Sequence, residues 1–156
     1  MKHLTFLLPA LFAVISCQPT TQNVQTEEEY QAAAREEITR LDKLFYEAWD
    51  NEDLDSVMFF CDEGINNMFF LWMSMDWQEC HDGYKDLFDN NSVEDVEYEI
   101  AELLIDQAYA IETGLLKQKF ITNDRQDTTF FDIRSITVWK KQADENWKVY
   151  RIFAQQ

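Results

Sequence analysis

Carboxylates are the most abundant groups in this chain that could carry acid–base chemistry, since 30 of its 156 residues are Asp or Glu. A carboxylate becomes an effective general base in a dry pocket, because loss of hydration raises its pKa. Asp132 and Glu112 lie on predicted strands and are the candidates for such a base, and Tyr46 or Tyr109 could polarise a carbonyl oxygen. No motif supports these assignments, and in so acidic a chain each carboxylate is more often a solvated surface group.

Other kinds of catalytic site have little support. The chain has two histidines, His3 and His81, so a three-histidine metal site is excluded, and it has no Cys-x-x-Cys pair. A nucleophilic triad would need His81 as its base, and no flanking signature supports one. Three glycines do not build a glycine-rich phosphate loop. We therefore expect no metal site and no cofactor.

A ligand pocket would draw on Arg134 and on aromatic side chains. Arg134 lies within an apolar predicted strand, where it either clamps an anionic ligand or pairs with an acid such as Asp132 or Glu112. The tryptophans either line a pocket for an apolar or ring-shaped ligand or pack in the core. The candidate pocket residues are Arg134, Trp72, Tyr109, Trp139 and His81, and His81 is alternatively an exposed polar residue.

Two cysteines, Cys61 and Cys80, lie in the predicted folded region. In an oxidising compartment they could form one disulfide between the second and third predicted helices. The alternative is a pair of buried thiols, because Cys packs well as a small hydrophobic residue. The sequence leaves both open, since it does not give the distance between them.

The N-terminus has the pattern of a bacterial lipoprotein signal peptide. An apolar run from Leu4 to Ile15 follows Lys2; it is too short to span a bilayer and has the length of a signal-peptide core. The run leads into a Val-Ile-Ser-Cys sequence that ends at Cys17 and resembles the lipobox, whose Cys is lipidated after removal of the leader. The alternative is an ordinary secretory signal. The resemblance implies lipidation of Cys17 and a cell-envelope location, on the periplasmic or outer-membrane side.

Charge and composition limit the partners. The formal net charge is −17, so nucleic acid is an unfavourable partner and adhesion to anionic lipid is disfavoured. Membrane attachment would therefore rest on the lipid anchor alone. We predict a signal peptide over residues 1–16, a flexible polar tether over 17–25 and one folded domain over 26–156.

The elements that would position these residues begin with helices. Thr26 and Glu29 form a predicted capping box, and an apolar stripe predicts a helix over Glu27–Trp49, with Asp42 off that stripe. Two short helices are expected over Leu54–Cys61 and Gly83–Phe88. Predicted strands cover residues 65–75, 96–105, 108–121, 128–141 and 147–154, with a bulge at residues 102–104 where the alternation of apolar residues changes phase.

Several segments together resemble the SnoaL-like branch of the nuclear transport factor 2-like superfamily. They are the acidic Asp-Asn-Glu-Asp loop after helix 1, the Gly-Tyr-Lys-Asp-Leu segment from Gly83, the Arg-Ser-Ile-Thr-Val-Trp-Lys strand from Arg134 and the Trp-Lys-Val segment from Trp147. The resemblance covers residues 26–156. It implies an α+β fold in which a cone-shaped, curved antiparallel sheet wraps around the long N-terminal helix, with a pocket at the open end. The terminal His of many relatives is missing here, so no role is carried over from it.

Two functions follow from this resemblance. The first is a non-catalytic cell-envelope domain that binds a small molecule or dimerises. The second is a SnoaL-type isomerase, cyclase or hydratase that acts on a small carbonyl compound through a buried carboxylate. The first is favoured, because no acid–base constellation stands out. A homodimer is expected through the outer face of the sheet, where Phe131, Ile133 and Trp139 would otherwise expose apolar surface.

Overall fold

The computed structural model describes residues 26–69 and 73–155 of the chain. Three helices and six strands follow one another: α1 Glu27–Asp50, α2 Leu54–Phe59, β1 Cys61–Phe69, β2 Met73–Met75, α3 Trp77–Asn90, β3 Asn91–Ile105, β4 Tyr109–Thr122, β5 Thr128–Lys141 and β6 Trp147–Gln155. None of the helices in these ranges is long and apolar enough to cross a membrane.

The start of α1 confirms the predicted capping box. The Glu29 backbone N–H donates to Thr26 Oγ1 at 3.2 Å, and the Thr26 backbone N–H donates to Glu29 Oε2 at 2.9 Å. The apolar stripe of α1 is buried as predicted. The prediction for Asp42 is wrong, because this residue is also buried. Asp42 lies one helical turn from both Ile38 and Tyr46, so it faces the sheet with them.

The six strands form one sheet in the order β2-β1-β6-β5-β4-β3. The meander from β3 to β6 is antiparallel as expected, and β1 joins it parallel to β6. The core lies between α1 and the concave inner face of this sheet. Its α1 contribution consists of Ala34, Ile38, Leu41, Phe45, Ala48 and Trp49.

Bulges bend the long strands. The register of β3 against β4 shifts between Ile100 and Glu102, close to the predicted position, and again between Glu94 and Glu97. Asp95, within the second bulge, has a positive φ of 56°. Such bulges increase the local twist and bend the strand. The result is the curved, cone-like α+β arrangement around α1 that the resemblance implies.

Three predicted boundaries are wrong. Helix α3 begins at Trp77 rather than Gly83, because Asp76 and Glu79 form a second capping box that starts it earlier. The single strand predicted over residues 65–75 is replaced by β1 and the short β2, which pair with each other. Strand β3 begins at Asn91, directly after α3, rather than at Val96.

Candidate functional site

An apolar cavity opens between α3 and the inner face of the sheet. The outer of its two chambers has a volume of about 230 Å³. Its walls come from α1, α3, β2, β4, β5 and β6, and the largest of the side chains that form them are Trp49, Tyr84, Leu87, Phe120, Phe131 and Ile133. The bend of the sheet holds β5 away from α3 at this end, which leaves the space unfilled.

A smaller chamber of about 50 Å³ continues toward α1. It shares Trp49, Tyr84 and Ile133 with the outer chamber, so the two adjoin. The deep chamber adds apolar walls and three side chains with polar groups, Tyr46 on α1, Asn67 on β1 and Ser135 on β5. The cavity therefore runs from an aromatic mouth to an end that is lined mostly by buried residues and has polar groups.

The polar groups of the cavity are few and mostly bonded. Trp49 Nε1 donates to Gln118 Oε1 at 2.9 Å. Asn67 Nδ2 donates to the Tyr84 hydroxyl at 2.6 Å. Asn67 is 0% exposed, and its Oδ1 has no hydrogen-bond partner within residues 26–69 and 73–155.

A buried carboxyl pair lies on the α1 side of the sheet. Glu112 on β4 is 0% exposed and Asp42 on α1 is 6% exposed. The Tyr98 hydroxyl donates to Glu112 Oε1 at 2.5 Å, and Trp139 Nε1 donates to Glu112 Oε2 at 3.0 Å. The carboxyl groups of Asp42 and Glu112 are neighbours, and each affects the pKa of the other.

The pKa of both carboxyl groups is raised. Burial and the neighbouring charge of Glu112 raise the pKa of Asp42 to about 9. Burial also raises the pKa of Glu112, and the hydrogen bonds from Tyr98 and Trp139 oppose this rise. A carboxyl group with a pKa of about 9 is protonated at neutral pH, so Asp42 holds a proton there.

The carboxyl pair lies beside the cavity and does not line it. The nearest links are Ser135, whose Oγ is 3.4 Å from the Tyr98 hydroxyl, and Tyr46, which stacks on Tyr98 with ring centroids 4.2 Å apart. On the opposite side of this stack, an open groove between α1 and β3 reaches Asp42.

The outer face of the sheet holds three of the predicted site residues. Arg134 and Asp132 are exposed there, in a shallow depression with Leu115 and Gln155, and Arg134 lines neither chamber. Tyr109 is 43% exposed at the start of β4. The structure therefore gives no support to an Arg134 clamp in the cavity, since side chains alternate along a strand and Arg134 points away from the inner face.

The other predicted residues have varied positions. Glu112 is buried in the carboxyl pair, Trp139 is a fully buried donor to it, and Tyr46 lines the deep chamber. His81 stacks on Trp77 and lines neither chamber. Trp72 and Cys17 lie outside the described residues, so their predicted roles stay predictions.

The predicted dimer residues lie on the other face of the sheet. Phe131 and Ile133 line the outer chamber, and Trp139 is completely buried. All three point inward, because the curved sheet encloses the odd-numbered side chains of β5. The apolar residues that the outer face does expose include Ile111 and Ile136, each 44% exposed.

Cys61 and Cys80 are both buried free thiols, so the alternative of two packed thiols is the one observed. Burial raises the pKa of Cys61 to about 12 and that of Cys80 to about 11. Within the described residues, no group of three His, Cys, Asp or Glu side chains could hold a metal ion.

Sequence reasoning missed Asp42, Tyr98, Asn67 and Gln118. For Asp42 a signal existed, because Ile38, Asp42 and Tyr46 recur at the helical spacing of four. For Tyr98 and Gln118, the alternation of side chains along their strands indicates which face of the sheet they lie on. It does not indicate which residues of other strands they contact. Nothing near Asn67 in the sequence marks it as buried.

No family model matches the sequence, and no curated protein matches it either. Solved structures do match the fold. A ketosteroid isomerase-like protein from Erwinia carotovora atroseptica is 16% identical with a TM-score of 0.68, over 76% of this chain and 92% of that one. An NTF2-like protein from Cytophaga hutchinsonii is 16% identical with a TM-score of 0.66, over 78% and 96%.

A third match is an NTF2-like protein of unknown function from Shewanella oneidensis, 19% identical with a TM-score of 0.64, over 79% of this chain and 99% of that chain. Structural matches at identities this low establish the fold but not the activity. Together with the curved sheet, the long first helix and the cavity at the open end, these structural matches show that this chain has the nuclear transport factor 2-like fold.

Proposed function

We propose that this domain is a non-catalytic module of the SnoaL-like kind that binds a small, mainly apolar molecule in the two-chamber cavity. The observation that carries the proposal is the outer chamber of about 230 Å³ with aromatic and aliphatic walls. A ligand pocket is typically concave and apolar, with a few polar groups that fix orientation. The walls of this cavity have that composition.

The size of the cavity limits the ligand. An apolar cavity of roughly 150 Å³ is sufficient to bind benzene. The outer chamber is larger than this, and the deep chamber adds about 50 Å³. A molecule with one or two rings therefore matches the available space.

A direct test titrates the purified protein with p-fluorotoluene and follows the ligand by fluorine NMR. Saturable binding of one equivalent, together with an increase in melting temperature, is the expected result. Native mass spectrometry of gently purified protein adds an independent test, since a natural ligand should be retained. If neither p-fluorotoluene nor any retained mass is detected, the binding proposal is wrong.

We place the module in the cell envelope, held by a lipid on Cys17. The support is the apolar run and the lipobox-like junction in the sequence. In a bacterial host, metabolic labelling with an alkyne fatty acid should label the wild-type chain and leave Cys17→Ser unlabelled. Equal labelling of both chains would contradict lipidation at Cys17.

A carboxylate enzyme is the second candidate, and the Asp42–Glu112 pair is the observation that favours it. The pair holds a proton in a dry site beside Tyr98, as an acid–base catalyst requires. It lines neither chamber, however, so a substrate in the cavity would have to displace Tyr46 or Ser135 to reach it. Proton exchange into a carbonyl ligand that is abolished by Glu112→Gln would support the enzyme over the binding module.

We also propose that the protein forms a homodimer through the outer face of the sheet. The interface residues differ from Phe131, Ile133 and Trp139, which were predicted from the sequence. Ile111 on β4 lies opposite Leu104 on β3 and Val138 on β5, which forms an apolar row across three strands. Light scattering should give twice the monomer mass, and Ile111→Lys should restore the monomer. A monomeric wild-type protein would contradict this part.

A further inference from the structure

We infer that the ligand of this cavity is an uncharged, mainly apolar molecule with one hydrogen-bond donor, a hydroxyl or N–H group, that bonds Asn67 Oδ1 in the deep chamber. This inference rests on the proposed function and specifies the class of molecule that the site takes. It follows from one unpartnered acceptor, from the absence of charge in the walls and from the direction of the cavity.

The acceptor is the side-chain oxygen of Asn67. Asn67 is 0% exposed and lines the deep chamber, and no group in the described parts of the chain donates to its Oδ1. Its Nδ2 donates to the Tyr84 hydroxyl at 2.6 Å, so Oδ1 is the end of the amide that faces away from Tyr84. A buried acceptor without a donor is unfavourable. A ligand that donates to it therefore gains the free energy of the hydrogen bond and also removes the cost of the unpaired acceptor.

The walls select an uncharged ligand. No Asp, Glu, Lys, Arg or His of residues 26–69 and 73–155 lines either chamber. A charged ligand would lose its hydration on entry without gaining a counter-ion, which is unfavourable in an apolar site. Of the other two amides in the walls, Gln118 is already occupied, since its Oε1 accepts from Trp49 Nε1 at 2.9 Å, and Gln155 is exposed at the end of β6. Asn67 is therefore the group that discriminates between ligands.

The two chambers also set the orientation. The donor lies at Asn67, and the apolar body extends past Trp49 and Ile133, which line both chambers, toward Phe120 and Phe131 at the mouth. A ring with a hydroxyl or N–H at one end and an apolar substituent at the other fits this arrangement. Phenols and alkyl-substituted alcohols are the simplest examples.

The test compares two molecules of nearly the same shape. p-Fluorotoluene has no hydrogen-bond donor, and p-cresol has a hydroxyl in place of the fluorine. Binding of p-fluorotoluene is followed by fluorine NMR, and binding of p-cresol is measured by isothermal titration calorimetry. We expect p-cresol to bind about tenfold more tightly to the wild-type protein, because it alone satisfies Asn67.

Substitution assigns the preference to one residue. Asn67→Leu removes the acceptor and keeps the approximate shape, so it should reduce the preference for p-cresol to about one while p-fluorotoluene still binds. Asn66→Leu is the matched control, because Asn66 is the neighbouring residue on β1, lines neither chamber, and should keep the tenfold preference when it is substituted. Equal preferences in wild-type and Asn67→Leu protein would overturn the assignment to Asn67.

The outcomes separate this inference from the proposed function. If p-fluorotoluene binds and p-cresol binds no more tightly, the cavity is a binding site and the inference is wrong. If p-fluorotoluene and p-cresol both fail to bind, the proposed function itself is wrong. The wild-type comparison requires no substitution, so it decides the inference even if Asn67→Leu does not fold.

Discussion

The phenol ring of Tyr98 on β3 lies over the α carbon of Gly114 on β4. A Cβ built on Gly114 would come within 2.8 Å of Tyr98 Cε2, and other ring atoms lie closer still. This approach lets the Tyr98 hydroxyl reach Glu112, two residues before Gly114 on the same strand, at 2.5 Å. The absence of a side chain at residue 114 thus permits the hydrogen bond that supports the buried carboxyl pair.

Gly114→Ala should therefore destabilise the protein. The added methyl group overlaps the Tyr98 ring, which has to move away from Glu112, and overpacking of this kind costs about 1–3 kcal/mol. Urea unfolding measures the change in the free energy of unfolding. Gly83→Ala is the control, because its Cβ would meet only the flexible end of Met75 and it replaces Gly within a helix. An equal loss in both variants would contradict the Tyr98 contact.

Stability should fall between pH 7 and pH 9. The pKa of Asp42 is raised from 3.8 to about 9 in the folded state, so the folded protein holds a proton that the unfolded chain releases. The stabilisation is complete below the unfolded pKa and is lost as the pH rises through the folded pKa. The free energy of unfolding should decrease by up to about 1.4 kcal/mol per pH unit between the two pKa values, and the decrease should level off as the pH passes 9.

Asp42→Asn tests this assignment. The amide is neutral at every pH, so the loss of stability between pH 7 and pH 9 should largely disappear. Asp132→Asn is the matched control, since Asp132 is exposed on the outer face and its substitution should leave the pH dependence unchanged. The same steep loss in Asp42→Asn would show that another group titrates.

The two thiols should be unreactive in the folded protein. Cys61 and Cys80 are buried, and burial raises the pKa of each, to about 12 and about 11, so little thiolate forms at neutral pH. With Cys17 replaced by Ser, a thiol reagent should label the native chain slowly and both cysteines rapidly after unfolding. Labelling of neither cysteine after unfolding without reductant would indicate a disulfide.

Arg134→Ala should leave ligand affinity unchanged within about twofold. Arg134 lies on the outer face of the sheet and lines neither chamber. The measurement is the affinity for p-fluorotoluene by fluorine NMR. A large loss of affinity would restore the sequence-based hypothesis of an Arg134 clamp and would place the ligand outside the cavity.

Local sequence patterns were sufficient to predict most of the helices and strands of the fold. The capping box at Thr26 and the stripe on α1 are contacts between residues three or four positions apart, so the sequence displays them directly. The bulge in β3 was visible because the alternation changes phase. The start of α3 was missed, since residues 76–81 were predicted as a turn or short connector, although Asp76 and Glu79 form the same kind of cap.

The site was much less predictable. Glu112 was a candidate, but its partners Asp42 and Tyr98 come from α1 and β3, and only the folded sheet brings them together. Along β5, residues that line the cavity alternate with residues on the outer face, and the sequence does not say which set points inward. Because of this ambiguity, we predicted Phe131 on the outer face of the sheet and Arg134 in the pocket, which is the reverse of their observed positions.

The most direct test of the binding proposal fills the cavity. Ala154 on β6 lines both chambers, and Ala154→Phe should occupy the space that the ligand needs. Ala101→Phe, at an exposed position on β3, adds the same ring outside the cavity. Titration with p-fluorotoluene should give saturable binding to wild-type and Ala101→Phe protein and none to folded Ala154→Phe protein. Undiminished binding to Ala154→Phe would show that the ligand does not occupy this cavity and would contradict the account.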